Sequence, residues 1–330
     1  MKALYLLPEQ NFPLIYGPAE QRDIAARVEL VASRQDAQSI WQQPVFTAVE
    51  AIFSGWGMVK MDAAFFERFP NLKVLFYGAG AVDRFITEEV WSRGVQISNA
   101  NVANGTSVAE YTVAQILLCL KQVWPIALRI KQEQRYIKLS HDQVTGAYES
   151  TVGIISLGAI GRMVAERLRM AKVNLIAYDP HVSSEQAQAL GIELTTLDDL
   201  FRRADVVTCH TPWLPETEGM LHGGLFRLMK PNAAFINTAR GAIVNEPDLC
   251  AVLRERSDLF AILDVTWPEP PAPNSPLFTL PNLILTPHIA GSMGHECWRM
   301  GRMMVEELDR WLAGEPLQHP VTRTYARARG

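Results

Sequence analysis

From about residue 150 onward, short apolar runs alternate with segments of helical periodicity. The apolar runs are VGIISLG, NLIAYD, DVVTCH, AAFINTA, FAILDV and LILTP, and the segments between them include IGRMVAERLRMA, TTLDDLFRR, GGLFRLMK and EPDLCAVLRE. Parallel strands covered by helices on both faces have this pattern, because each parallel connection needs a crossover that returns the chain to the same edge. The alternation therefore predicts a doubly wound α/β domain.

The region before residue 150 repeats a looser version of this pattern. Its apolar runs are ALYLL, EAIFSGW, KVLFYGAG and VQISNA, and helical spacing predicts a long helix over 108–124. The chain has 330 residues, more than the roughly 250 to 300 at which a single core stops growing. We expect two doubly wound domains joined by the long helix, with the last helical stretch, HECWRMGRMMVEELDRWLAG, returning to complete the first domain.

Composition narrows the classes of partner. The formal net charge is -4 and no long basic run occurs, so neither nucleic acid nor an anionic membrane surface is expected to bind. No apolar run approaches the roughly 20 residues that span a bilayer, and the first apolar stretch breaks at Pro8, so we predict a cytoplasmic protein without a signal peptide. The four cysteines form no C-x-x-C pair and have no histidine at ligand spacing. We predict buried thiols and no metal.

A glycine-containing turn follows the first apolar run of the alternating region. Gly158 and Gly161 open the next predicted helix, where backbone amides can hold a pyrophosphate, although Ser156 occupies the first glycine position of G-x-G-x-x-G. Asp179 ends the next strand 18 residues after Gly161, near the spacing of about 20 at which a carboxylate binds the adenosine ribose. The pattern favours a dinucleotide site, with a simple tight turn and a cap before Pro180 as the alternatives.

Three polar side chains follow other apolar runs. Arg240 comes directly after AAFINTA, Glu269 follows FAILDV, and His288 follows LILTP and one proline. Carboxyl ends of parallel strands meet at one edge of the sheet, so we expect these side chains to converge. A guanidinium binds a carboxylate through two hydrogen bonds, an imidazole transfers a proton near neutral pH, and a carboxylate beside it favours the imidazolium. These are the tasks of 2-oxo acid reduction. His210, which ends DVVTCH, is a rival proton donor, ranked lower because no carboxylate accompanies it.

The motifs FINTARGAIV, DVTWPEP and LTPHIAGS resemble those of the D-isomer-specific 2-hydroxyacid dehydrogenase family, and GIISLGAIG, YDPH, HTPWLPET and LMKP fall in its order and spacing. The resemblance covers nearly the whole chain. It implies a Rossmann NAD-binding domain at 104–292, inserted into a flavodoxin-like catalytic domain at 1–103 that 293–330 completes. It further implies NAD-dependent reduction of a small 2-oxo acid to a D-2-hydroxy acid, the reverse oxidation, and a homodimer formed through the cofactor domain.

The resemblance also implies the roles of individual residues. Arg240 binds and polarises the substrate beside the nicotinamide, His288 transfers the proton, and Glu269 pairs with His288. Backbone amides of Gly78, Ala79 and Gly80 hold the substrate carboxylate, a task that suits small residues. The cofactor contacts comprise the pyrophosphate turn (Gly158, Ala159, Ile160, Gly161), the ribose carboxylate (Asp179), the adenosine side (Thr211, Pro212, Thr217) and the nicotinamide side (Thr238, Ala239, Asp264).

Some positions depart from the family pattern and some alternatives stay open. Ser156 replaces a glycine, Ala159 stands where a basic residue is frequent, and Asn245 lies in the usual VDE triplet, so we expect weaker cofactor affinity at most. Glu269 argues against formate dehydrogenase, which uses glutamine there. The remaining alternatives are phosphoglycerate dehydrogenase activity, a nicotinamide enzyme of other chemistry such as reductive amination, and a catalytically weak NAD(H)-sensing protein on the same fold.

The substrate class follows from the cations available in the first domain. A phosphorylated acid needs additional positive charge near the carboxylate loop. Lys60 and Arg84 are the candidates near the first-domain motifs, and they form no cluster in the sequence. We expect glyoxylate or hydroxypyruvate to be reduced first and short aliphatic 2-oxo acids next.

Overall fold

The computed structural model describes residues 1–327. The chain divides into two compact units: unit 1 contains residues 1–105 and the segment from Ser292, and unit 2 contains residues 106–291. Each unit contains a parallel β-sheet with helices. The predicted α/β class, with one doubly wound unit inserted into another, is confirmed.

The strands run in the chain in the following order: β1 (Lys2–Leu6), β2 (Glu29–Leu30), β3 (Ala51–Ser54), β4 (Val74–Tyr77), β5 (Gln96–Asn99), β6 (Thr151–Ile155), β7 (Asn174–Tyr178), β8 (Glu193–Leu194), β9 (Val206–Cys209), β10 (Ala234–Asn237), β11 (Phe260–Leu263) and β12 (Leu283–Leu285).

The α-helices are α1 (Phe12–Ile15), α2 (Pro18–Ala25), α3 (Ala63–Arg68), α4 (Glu88–Ser92), α5 (Asn101–Leu120), α6 (Val123–Glu133), α7 (Ala159–Leu168), α8 (Ser184–Ala189), α9 (Leu197–Arg203), α10 (Gly223–Arg227), α11 (Glu246–Glu255) and α12 (Cys297–Leu312). Short 3₁₀ helices lie at Ser39–Trp41, His141–Gln143, Arg169–Ala171, Gly241–Ile243, Pro276–Phe278, Gly294–Glu296 and Tyr325–Arg327.

Unit 1 is built on a sheet of order β2-β1-β3-β4-β5. Successive strand residues point to opposite faces, so Phe53 packs into one core cluster and Ile52 into the other. Helix α12 contributes Met300, Met304 and Leu308, spaced four residues apart, to the cluster of Phe53. The C-terminal helix α12 therefore packs into the core of unit 1.

Unit 2 is built on a sheet of order β12-β11-β10-β9-β6-β7-β8. Its strands alternate between two core clusters, with Ile155 and Val207 on one face and Ile154 and Val206 on the other. The chain fills the β7-β8 side first and then returns to place β9 beside β6. The loops after β6 and β9 therefore flank the switch point of the sheet, where doubly wound sheets bind their ligands.

Four other findings concern membranes, metals and thiols. Within residues 1–327, no single helix is long and apolar enough to span a bilayer. Helices α5 and α6 have that length and apolar character only when taken together, and their axes are bent by 61°. The same residues contain no group of three or more His, Cys, Asp or Glu side chains that could hold a metal ion. All four cysteines are buried free thiols, as predicted. Burial raises the pKa of the Cys209 thiol to about 11.

Candidate active site

The carboxyl ends of β10, β11 and β12 carry the three predicted catalytic side chains. These strands are neighbours, and they pair in parallel with Asn237 opposite Leu263 and Leu263 opposite Leu285. Arg240, Glu269 and His288 all lie in the loops that follow, on one edge of the unit 2 sheet.

His288 and Glu269 are in direct contact. The imidazole Nδ1 lies 2.6 Å from the Glu269 Oε1, and both side chains are partly exposed. Nδ1 faces the carboxylate, so Nε2 is the ring nitrogen left to exchange a proton with a ligand.

Arg240 lies in the loop after β10, and its backbone is held by buried partners. Asn237 is fully buried; its side-chain amide donates to the Arg240 carbonyl, and its carboxamide oxygen accepts from the Ala239 amide, both at 3.0 Å. The guanidinium Nη1 donates to the Ala239 carbonyl at 2.7 Å. Gly241 is required next, because an added Cβ would lie about 2.0 Å from the backbone of Thr266. These contacts fix the backbone position from which the Arg240 side chain extends.

Asp264 is almost completely buried at the end of β11, and its carboxylate accepts hydrogen bonds from the segment around His288. Its Oδ1 accepts from the Ile289 amide at 2.8 Å and its Oδ2 from the Ala290 amide at 2.9 Å. Its own carbonyl accepts from the His288 amide at 2.9 Å. The residue that the resemblance placed on the nicotinamide side thus also anchors the loop that carries the imidazole.

The predicted pyrophosphate turn lies between β6 and α7. Gly158 is the N-cap of α7, no side chain caps this helix, and Gly158 and Ala159 are exposed, so the first amides of the helix face outward with Ile160 partly buried behind them. Gly161 packs closely instead, since a Cβ there would lie 2.1 Å from the Ser156 carbonyl oxygen. The turn fits an anionic ligand at the helix N-terminus.

Asp179 follows β7 and points back toward the same turn. Its Oδ2 accepts from the Leu157 amide at 2.7 Å and its Oδ1 from the His181 amide at 2.8 Å. A carboxylate has about four lone-pair sites, so both oxygens retain acceptor capacity for ribose hydroxyls.

The loop after β9 carries three further predicted cofactor residues. Thr211 is buried, with its hydroxyl 3.0 Å from the Ser156 hydroxyl across the switch point. Thr217 donates to the Pro212 carbonyl at 2.7 Å and accepts from the Leu214 amide at 2.8 Å, which holds the loop in one shape. Thr238, after β10, lies 3.0 Å from the Thr112 hydroxyl and is buried, with Ala239 partly buried beside it.

His210 is unsuited to proton transfer. It is buried, its Nε2 lies 3.1 Å from the Thr208 hydroxyl, and its Nδ1 has no hydrogen-bond partner among the described residues. Burial lowers the pKa of His210 to about 3. The imidazole is therefore neutral at physiological pH and carries no proton to donate from a cationic state.

The predicted carboxylate loop belongs to unit 1. The Gly78 amide donates to the Ser54 carbonyl at 2.9 Å and the Ala79 amide to the Tyr77 carbonyl at 2.8 Å. A Cβ at Gly78 would lie 2.5 Å from the Ile15 side chain, so packing requires glycine there. A Cβ at Gly80 meets Asn101 only at 3.4 Å. The amides of Gly78 and Ala79 thus already donate to backbone carbonyls of the protein.

Sequence reasoning missed several residues at this edge. Tyr111 of α5 contacts Thr286, and Thr286 contacts Asp264. Trp213 and Trp267, from the loops after β9 and β11, form an edge-to-face pair with centroids 4.6 Å apart. A threonine two residues before the candidate histidine, His288, is a weak sequence signal, and the helical tyrosine and the tryptophan pair have none.

Comparisons with known proteins show the family of the chain. Residues 113–290 match the family described as "D-isomer specific 2-hydroxyacid dehydrogenase, NAD binding domain". Glyoxylate reductase of Korarchaeum cryptofilum is 30% identical over 258 residues, which cover 77% of each chain. D-3-phosphoglycerate dehydrogenase of Archaeoglobus fulgidus is 34% identical over 264 residues, which cover 79% of this chain and 49% of that protein.

The chain belongs to the D-isomer-specific 2-hydroxyacid dehydrogenase family. Its unit 2 contains the family's NAD-binding domain, so the predicted family and the predicted cofactor, NAD, are confirmed. A solved structure of a D-isomer specific 2-hydroxyacid dehydrogenase from Lactobacillus delbrueckii ssp. bulgaricus, in its NAD complexed form, aligns with a TM-score of 0.80 at 21% identity over 98% of this chain and 100% of that one, which shows the shared fold. The chain spans about half the length of the curated D-3-phosphoglycerate dehydrogenases it matches.

Proposed function

We propose that this dehydrogenase-family chain reduces a small, unphosphorylated 2-oxo acid to a D-2-hydroxy acid with NADH and catalyses the reverse oxidation. The observation that carries the proposal is the 2.6 Å contact between His288 and Glu269 on the sheet edge that also bears Arg240. Histidine is the side chain that most often transfers protons in enzymes.

Each catalytic side chain has one task in this reaction. A nicotinamide cofactor, when bound to unit 2, would supply the hydride for the substrate carbon. His288 holds the transferable proton at Nε2 and delivers it to the substrate carbonyl oxygen, while Glu269 stabilises the imidazolium. The Arg240 guanidinium binds the substrate carboxylate and polarises the carbonyl. In the oxidation direction, the neutral imidazole takes the proton back.

The cofactor is assigned to the turn and loops of unit 2. Amides at the N-terminus of α7 hold the pyrophosphate, and Asp179 accepts from the ribose hydroxyls. The 2′-phosphate of NADP would face the Asp179 carboxylate as a like charge, and neither Pro180 nor His181 offers the fixed charge of an arginine. We therefore assign NAD in preference to NADP. The domains are assigned as 1–103 with 293–330, and 104–292.

The charges near the site support an unphosphorylated substrate. Glu218 accepts from the Trp213 indole at 3.0 Å, beside Trp267 in the loop that leads to Glu269. Carboxylates at this edge repel a phosphate group. In unit 1, Lys60 and Arg84 are exposed and well separated in sequence. Glyoxylate and hydroxypyruvate are the expected substrates, and the curated phosphoglycerate dehydrogenase relatives make 3-phosphohydroxypyruvate the competing candidate.

We also assign a second copy of this chain as the partner, and the cytoplasm as the location. Helix α6 has no buried residue, although Val123, Trp124, Ile126 and Leu128 are apolar. Apolar side chains left partly exposed on a helix favour burial against another protein surface. The formal net charge of -4 supports neither nucleic acid nor an anionic membrane as a partner.

The proposal is tested with a panel of 2-oxo acids and NADH or NADPH, followed by absorbance of the reduced cofactor. We expect turnover of glyoxylate and hydroxypyruvate, poor turnover of 3-phosphohydroxypyruvate, and higher efficiency with NADH than with NADPH. His288→Ala is expected to lower kcat by about 10² to 10⁴-fold and to leave NADH affinity within twofold.

Three results would contradict parts of the proposal. Absence of turnover with every 2-oxo acid, combined with normal NADH binding, would favour a cofactor-sensing protein. A preference for 3-phosphohydroxypyruvate would show that a basic phosphate site exists. Full activity of His288→Ala would remove the imidazole from the reaction.

A further inference from the structure

A chain of hydroxyl groups connects helix α5 to the buried carboxylate behind His288. The Tyr111 Oη lies 3.1 Å from the Thr286 Oγ1, and Thr286 donates to the Asp264 Oδ1 at 2.6 Å. A threonine hydroxyl has one proton. Since Thr286 uses its proton on Asp264, the tyrosine must donate to the threonine, and the chain runs in one direction from Tyr111 to Asp264.

This chain ends on the carboxylate that holds the backbone around the imidazole. The Asp264 Oδ1 accepts from both Thr286 and the Ile289 amide, and the Oδ2 accepts from the Ala290 amide. The carbonyls of Asp264 and Thr286 both accept from the His288 amide, at 2.9 and 3.0 Å. The peptide groups that follow His288 are therefore tied to the Asp264 side chain, and the His288 amide is tied to the Asp264 main-chain carbonyl.

The backbone that these bonds hold is strained. His288 has a φ of 57°, in the left-handed region that non-glycine residues rarely adopt. Such a conformation persists only where surrounding contacts determine it. Loss of the Thr286 hydroxyl removes one of two donors to the Asp264 Oδ1, so the carboxylate becomes free to rotate away from the Ile289 amide.

We propose that Thr286 and Tyr111 are positioning residues for His288. They orient the Asp264 carboxylate, and that carboxylate keeps the His288 segment in the left-handed conformation from which the imidazole reaches Glu269. The inference rests on the proposed function of His288 as proton donor. Neither hydroxyl is assigned any contact with substrate or cofactor.

Four substitutions test this inference. Thr286→Val keeps the shape of the side chain and removes the hydroxyl, whereas Thr286→Ser keeps the hydroxyl. Tyr111→Phe removes the outer hydroxyl of the chain. Thr279→Val is the matched control, because the Thr279 hydroxyl donates only to the Pro276 carbonyl of its own turn.

The first measurement separates kcat from KM in the reduction of the best 2-oxo acid. A misplacement of about 1 Å can cost on the order of 10²-fold in rate, so we expect Thr286→Val to lower kcat by about 10- to 100-fold. NADH affinity should stay within twofold of the wild-type value. Tyr111→Phe should lower kcat less than Thr286→Val, Thr286→Ser should recover most of the loss, and Thr279→Val should match the wild type.

The second measurement does not depend on turnover. Hydrogen exchange at the Ile289 and Ala290 amides reports directly on their bonds to Asp264. We expect exchange at both amides to be faster in Thr286→Val and close to the wild-type rate in Thr286→Ser and Thr279→Val.

The two measurements separate the inference from the proposed function. A wild-type protein inactive on every 2-oxo acid would defeat the proposed function, while exchange would still test the hydroxyl chain. Unchanged exchange in Thr286→Val would overturn the inference, as would equal loss of kcat in the serine and valine variants. A parallel loss of NADH affinity would show that Thr286 supports the cofactor instead.

Discussion

His288 combines a strained backbone with a side chain that has one defined partner. Its φ of 57° turns the chain so that the imidazole Nδ1 meets the Glu269 carboxylate at 2.6 Å. The backbone is fixed by buried Asp264, and the side chain is fixed by exposed Glu269. The backbone and the side chain of His288 thus have two different carboxylates as partners.

Glu269→Gln tests the second of these controls. Glutamine keeps the shape of the side chain and removes the negative charge, so the imidazolium loses an adjacent anion. The proton-donating form then persists only at lower pH, and the pH profile of reduction should move toward acid. Solvent screens this partly exposed pair, so we expect a small shift. The measurement is kcat/KM for reduction between pH 5 and pH 9.

The matched control for this charge removal is Glu255→Gln. Glu255 lies on α11 and pairs with Arg227 on the exposed surface. Its substitution should leave the pH profile where the wild type has it. An identical profile for Glu269→Gln would mean that the carboxylate does not influence the imidazole.

The turn between β6 and α7 shows why a glycine motif can tolerate serine at one position and not at another. Gly161 has no room for a Cβ, which would lie 2.1 Å from the Ser156 carbonyl oxygen. Ser156 has a φ of 76° and accepts the strain of the left-handed region, and its hydroxyl lies 3.0 Å from that of Thr211. Space excludes any side chain at position 161, whereas position 156 is restricted only by its positive φ.

Substitutions at Ser156 separate the strain from the hydrogen bond. Ser156→Ala keeps the strain and loses the bond, which should lower the free energy of unfolding by about 1 kcal/mol. Ser156→Gly also loses the bond but relieves the strain, so it should be more stable than Ser156→Ala by about 1 kcal/mol. Urea denaturation of the three proteins measures this order. An alanine variant as stable as the glycine variant would show that the positive φ of residue 156 does not destabilise the folded state.

At the scale of the molecule, buried His210 links folding to pH. The unfolded chain takes up a proton on this histidine below its ordinary pKa of 6.5, whereas burial holds the pKa of His210 at about 3 in the folded state. Protonation therefore favours the unfolded state between these values. The associated stability is complete above pH 6.5 and is lost as the pH falls toward 3.

His210→Gln tests this linkage. One pH unit corresponds to about 1.4 kcal/mol for a single proton, so between pH 7 and pH 5 the wild type should lose up to about 2 kcal/mol more stability than the variant. Urea denaturation at the two pH values, followed in the transition that unfolds unit 2, gives the comparison. Equal losses in both proteins would mean that His210 is not the group responsible.

The sequence alone was sufficient to predict the sheets, the family and the main site candidates. Alternating apolar runs specify strands buried on both faces, and Ile154 and Ile155 do occupy opposite core clusters. Parallel strands end at a common edge, so the positions of Glu269 and His288 after β11 and β12 were enough to predict that they lie near one another. The sheets and their common edge depend on periodicity and chain direction, which are local properties of a sequence, whereas the family followed from the resemblance of the motifs.

Other features of the site depended on the tertiary structure. Tyr111 lies 175 residues from Thr286, and its contact depends on which face of α5 meets the loop after β12. Asp264 acts on the His288 segment through backbone amides, which leave no trace in residue identity. The burial that keeps His210 neutral depends on the side chains packed around it. Sequence periodicity determines where an element lies in the fold, whereas contact partners and desolvation depend on the rotation and packing of elements distant in the chain.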